Sequence, residues 1–79
     1  MDLSLENLKE LLSKSSSLGS QVSEFNEKDS IVEQGVDSLD MLDYFLSLEE
    51  NFGVQIPDKD IDQLKSLGDI LNYLQKRLD

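Results

Sequence analysis

Residues 35–53 read GVDSLDMLDYFLSLEENFG. On a helical wheel of about 100° per residue, Met41, Tyr44, Phe45, Leu48 and Phe52 share one arc about 100° wide, the width of an ordinary core-facing stripe. The spacing predicts a helix from Ser38 to Phe52, ended by Gly53, a residue suited to the left-handed turn that follows many helices. Leu39, Leu42 and Leu46 occupy a second arc, roughly 130° around from the first by the same geometry. Asp43 and Glu50 flank that arc on one side and Glu49 on the other, with Ser38 near its edge. One stripe is enough to attach a helix to a bundle. The second has two readings: a central helix buried on two sides, or a partly exposed apolar strip rimmed by carboxylates, as in transient protein interfaces.

Outward from this segment, the rest of the chain also reads as helix and loop, with no strand. Upstream, LSLENLKELLSK (3–14) places Leu5, Leu8, Leu11 and Leu12 at helical spacing, with Ser4 as the N-cap. A Ser/Gly cluster ends that helix, and residues 15–36 form a long connection. So long a loop in a small domain needs anchors; Val22, Phe25, Ile31 and Val32 are the candidates. Downstream, VQIP leaves the second helix extended, because Pro57 disfavours helical geometry at Ile56. A short third helix follows Asp58 and uses Ile61 and Leu64. The last helix opens at SLGD, where Ser66 and Asp69 have capping-box spacing with Asp in place of Glu or Gln. Leu67, Ile70, Leu71, Leu74 and Leu78 form its apolar face, and Lys76 and Arg77 sit where cations suit the helix dipole. The expected fold is all-α: a small four-helix bundle, three longer helices and one short one, with a long loop between the first two.

Seventy-nine residues suit a single domain, 1–79. With 38% hydrophobic residues and no cysteine, its core must be held by packing rather than disulfides. The first residues lack the basic-then-apolar pattern of a signal peptide, and no run approaches a membrane span. A soluble cytoplasmic protein is expected. Seventeen acidic residues against seven basic ones give a net charge of -10, which repels nucleic acid and anionic lipid. No basic residue lies between Lys28 and Lys59, an interval that contains Asp29, Glu33, Asp37, Asp40, Asp43, Glu49, Glu50 and Asp58. Such a charge distribution serves either as a solubilising surface or as a steering field for a basic partner, centred on the segment that begins at Ser38.

Ser38 follows a glycine and an aspartate and precedes an apolar-rich helix, as if poised for chemistry. A catalytic serine needs a base, normally histidine, and a group to orient it. Histidine is absent, and the nearest lysines, Lys28 and Lys59, carry no recognisable motif. No residue is assigned a catalytic role. Ser38 is then either a plain N-cap or a modification site, since the positive end of a helix tolerates an attached phosphodiester.

Residues 29–60, DSIVEQGVDSLDMLDYFLSLEENFGVQIPDKD, followed by SLGDILNYL (66–74), resemble the acyl carrier protein family. The resemblance is carried by Gly35, Asp37-Ser38-Leu39, Leu48-Glu49-Glu50-Asn51-Phe52-Gly53, Ile56-Pro57-Asp58 and Gly68-Asp69, in order and at matching spacing. It implies a four-helix bundle in which Ser38, with Asp37 and Leu39 as motif neighbours, carries 4′-phosphopantetheine transferred from coenzyme A by a phosphopantetheinyl transferase. The terminal thiol of that arm would hold acyl groups as thioesters for enzymes of fatty-acid or specialised acyl/polyketide-type biosynthesis, and the bundle would shelter the acyl chain among its apolar side chains. The resemblance also makes the second helix a docking surface for basic patches on acyl-transferring and condensing enzymes. Leu39, Asp40, Leu42, Asp43, Leu46, Glu49 and Glu50 are the candidate contacts. A monomer is expected, with no nucleic acid partner, no membrane insertion and no metal. Departures from the family pattern are Gln34 where Leu is frequent, Val36 after the motif glycine, Asp43 where Glu is common, and the bulky pair Tyr44–Phe45.

The rival from another class is an acidic helical protein-interaction or divalent-cation-binding module, with Ser38 only a helix cap. DKDIDQLKSLGD (58–69) places Asp58, Asp60, Asp62 and Asp69 at positions 1, 3, 5 and 12 of a calcium loop. Gln63 stands where that loop needs glycine, and Asp69 where it needs a bidentate Glu.

Overall fold

The computed structural model describes residues 2–78. Helix α1 is Leu5–Ser15, α2 is Ser38–Phe52, α3 is the single turn Asp58–Ile61, and α4 is Leu67–Leu78. This is the expected all-α arrangement. A 3-10 helix, Gly19–Glu24, lies within the long connection, where the sequence showed only loop. Among the described residues there is no strand, only an isolated antiparallel bridge between Ser30 and Ser66.

Each helix begins and ends for a local chemical reason. Ser4 Oγ accepts from Asn7 N–H at 3.1 Å to start α1. Gly53, at φ 67°, takes the left-handed conformation that ends α2, and its N–H donates to the Glu49 carbonyl. At α4 the capping box forms with its shorter acid: Ser66 Oγ accepts from Asp69 N–H at 3.1 Å, and Asp69 Oδ2 accepts from Ser66 N–H at 3.3 Å.

One contiguous core joins these elements. Leu8, Leu11 and Leu12 of α1, the α2 stripe Met41, Tyr44, Phe45, Leu48 and Phe52, and Leu67, Ile70 and Leu74 of α4 are all buried. Burying a side chain of this size is worth about 1.5–3 kcal/mol. Tyr44 adds a directional tie, because its hydroxyl donates to the Leu8 carbonyl at 2.9 Å and so fastens α2 to α1.

The long connection is held by Val22, Phe25 and Ile31, all buried as expected. Val32 is not an anchor; it is 48% exposed. Residues 31–35 form a tight turn, with Gln34 N–H donating to Ile31 O and Gly35 N–H to Val32 O, so Ile31 points inward and Val32 outward. Leu78, expected on the α4 apolar face, is likewise exposed, because the last turn of the helix runs past the core that Leu74 closes. The loop is also sewn to the α3–α4 connection: Ile31 N–H donates to Lys65 O at 2.8 Å, and Gly68 N–H to Glu27 O at 2.9 Å. A Cβ at Gly68 would sit only 3.0 Å from that Glu27 oxygen, so a larger residue would push this bonded carbonyl away by a few tenths of an ångström. Gln34 fits the same scheme. Its Oε1 accepts from Asn26 N–H at 2.8 Å and its Nε2 donates to Asn26 O at 3.0 Å, closing the loop with polar bonds where a leucine would offer none.

Candidate functional site

The site is the start of α2. Gly35, at φ 119°, lets the chain reverse into the helix, and buried Val36 pins the segment from below. Asp37 is the N-cap: it is extended, and its Oδ1 accepts from Leu39 N–H at 2.9 Å. Ser38 is therefore the first helical residue and not the cap, which overturns the reading of it as a capping serine. Physically, the extended backbone at residue 37 places the aspartate, not the serine, within reach of the free N–H groups. Ser38 is exposed, and its hydroxyl makes no hydrogen bond among the described residues.

Two first-turn N–H groups, those of Ser38 and Asp40, also have no partner among the described residues. With the positive end of the helix dipole they form a surface tolerant of a phosphodiester on the Ser38 oxygen. A reachable hydroxyl and a favourable field both fit a phosphate-linked prosthetic group.

Leu39, Leu42 and Leu46 are 70%, 57% and 57% exposed. The second stripe is thus an open apolar strip, and the two-sided burial considered for α2 does not occur. Asp43 and Glu50 at its rim are exposed, while Asp40 and Glu49 are half-buried. Glu49 has a further task that was not legible from helical spacing: its Oε2 accepts from Ile56 N–H at 2.8 Å and fixes the chain that leaves α2.

Beside Ser38 lies a cleft of about 500 Å³. Its floor is made by buried Met41, Phe45 and Leu64, with Ile61 in the wall. Val32, Leu42, Glu33, Asp62 and Lys65 stand around it. The lysine at this cleft is Lys65, not Lys28 or Lys59, the two nearest Ser38 in sequence.

The carboxylates of the calcium-loop spacing are put to other uses. Asp60 Oδ2 accepts from Tyr73 OH at 2.7 Å and pairs with Arg77 at 3.2 Å, while Arg77 stacks 4.9 Å from the centre of the Tyr73 ring. Asp69 caps α4, and Asp58 lies in α3. Among the described residues no three acidic side chains gather as a metal site.

A family model described as the phosphopantetheine attachment site matches residues 6–74. This chain belongs to the acyl carrier protein family. It is 39% identical over 61 residues to an acyl carrier protein of Chlamydia caviae, covering 76% of this chain and 79% of that one. It is 35% identical over 65 residues to an acyl carrier protein of Thermotoga maritima, covering 81% and 80%. A putative mitochondrial acyl carrier protein of Schizosaccharomyces pombe is 48% identical over 42 residues, 53% of this chain and 38% of that protein. As an acyl carrier protein the chain is not a catalyst but a carrier with a covalently attached 4′-phosphopantetheine group, acted on by a phosphopantetheinyl transferase and by acyl-handling enzymes. None of its described helices is long and apolar enough to cross a membrane.

Proposed function

We propose that Ser38 is the point of attachment, and that the face formed by Leu39, Leu42 and Leu46 with Asp40, Asp43, Glu49 and Glu50 docks basic patches on partner enzymes. The observation that carries this reading is the division of labour at the start of α2: Asp37 caps the helix and leaves the Ser38 hydroxyl exposed and unengaged. A transferase removes that proton as the oxygen bonds to the pantetheine-side phosphorus of coenzyme A; the pyrophosphate P–O bond breaks and adenosine 3′,5′-bisphosphate leaves. When bound, the arm supplies a thiol that holds acyl groups as thioesters, the sulfur chemistry that a chain without cysteine lacks. This chain's own contribution is to present the oxygen at a positive helix end and to orient partners through α2. Apolar contacts would give the docked complex its affinity, and the carboxylate rim its register and speed of encounter. The same reading makes the carrier a cytoplasmic monomer serving fatty-acid or specialised acyl biosynthesis, since a face that meets several basic partners in turn works best on a freely diffusing single copy.

Incubation with coenzyme A and a permissive transferase should add one phosphopantetheine to the intact mass, and Ser38→Ala should abolish the gain without lowering the melting temperature. Asp37→Ala should instead destabilise the protein by about 1 kcal/mol, because it removes the cap. A mass gain that survives Ser38→Ala would remove the site from this serine.

A further inference from the structure

We propose that this carrier holds its cargo at the surface: Tyr44 and Phe45 bar an acyl chain from the core, so the groups carried are short ones that fit the cleft beside Ser38. This rests on the attachment reading above and adds the class of cargo.

The cleft is the apolar recess that opens at Ser38. A chain laid into it meets the ring of Phe45, which lines the floor while being only 4% exposed itself. Beside it is Tyr44, adjacent in sequence, fully buried and with its ring centre 6.0 Å away. Tyr44 cannot swing aside freely. Its hydroxyl is bonded to the Leu8 carbonyl across the interface with α1, and turning the ring would strand a buried polar group. Leu8, Leu12, Leu48 and Ile70, which complete the interior, are also fully shielded, so a chain that passed the aromatic pair would have to displace core side chains. Outward growth gains little either, because Glu33, Asp62 and Lys65 stand around the cleft and water reaches them. The first few carbons of a cargo find apolar contact on Met41, Phe45 and Leu64. Further carbons find charge and solvent, and no burial drives them in.

The test is a chain-length series on the holo-protein, loaded with acetyl, butyryl, hexanoyl, octanoyl and dodecanoyl groups, with the melting temperature of each species measured. A group that binds only the native state raises the melting temperature. In the parent the rise should end by hexanoyl, the longer species agreeing within about 1 °C. In Phe45→Val, where the lost ring leaves space continuous with the floor, the melting temperature should keep climbing, by about 4 °C or more between hexanoyl and dodecanoyl. A parent that gains stability through dodecanoyl, or nuclear Overhauser contacts from the terminal methyl of the chain to Leu8 or the Tyr44 ring, would overturn the proposal and leave the attachment at Ser38 intact. Flat profiles in both proteins would overturn Phe45 as the barrier. If the valine variant does not fold, the parent series and its Overhauser contacts decide alone. Failure of the parent to accept the arm would overturn the attachment reading, and the cargo proposal with it.

Discussion

Tyr44 is the residue at which stability and pH are most directly linked. Burial pushes its phenol above the ordinary tyrosine value of about 10. The unfolded chain loses this proton near pH 10, the folded chain only at higher pH. Above about pH 10 the unfolded state therefore holds fewer protons than the native state, and stability falls as pH rises. The contribution is complete below about pH 10 and is lost as pH climbs through the folded value. Denaturant midpoints measured between about pH 8 and pH 11 should drop more steeply for the parent than for Tyr44→Phe. The variant should be about 1 kcal/mol less stable at neutral pH, having lost the bond to Leu8. Tyr73 is shifted the same way, by partial burial and by its bond to Asp60, but it is present in both proteins, so the difference reports Tyr44. Equal slopes would show that the buried phenol does not control alkaline unfolding.

At the scale of the element, α2 separates two carboxylates that helical spacing alone treats as equivalent rim charges. Asp43 is exposed, whereas Glu49 accepts the Ile56 N–H. Asp43→Lys should slow loading or acyl transfer with basic partner enzymes, chiefly at low salt, and leave helix content unchanged. Glu49→Lys should also lower stability, by about 1–3 kcal/mol, because a backbone donor loses its acceptor. Transfer rates at two ionic strengths, beside circular dichroism melts, check both; equal rates for Asp43→Lys and the parent would remove the docking role. The same helix shows what was legible beforehand. Its length, its glycine stop and its buried stripe follow from a period of 3.6 and one left-handed residue. Spacing left the second stripe open between burial and exposure, and its exposure is set by tertiary packing. Glu49's second role was hidden because it depends on where Ile56 returns, a tertiary fact. Val32 misled for a related reason: in a loop there is no period, and apolar character alone does not say which of two neighbours turns inward. At the helix start the sequence offered Ser38 alone as a cap, and the extended backbone of residue 37 gives that role to Asp37 instead.

At the scale of the whole molecule, seventeen acids face seven bases, and the described residues contain only two ion pairs, Lys14–Glu10 and Arg77–Asp60. Most of the negative charge is uncompensated. Adding salt to about 0.5 M, or millimolar divalent cation, should raise the melting temperature by a few degrees as repulsion is screened. A flat or falling response would show that packing, not repulsion, limits stability. The serine's oxygen has a wider consequence. Because the fold leaves it idle, bare and loaded forms should share one outline, and a partner surface that reads only α2 would greet both alike. Telling a charged shuttle from an empty one would then fall to the enzyme's own tunnel, which must feel for the pendant thioester itself.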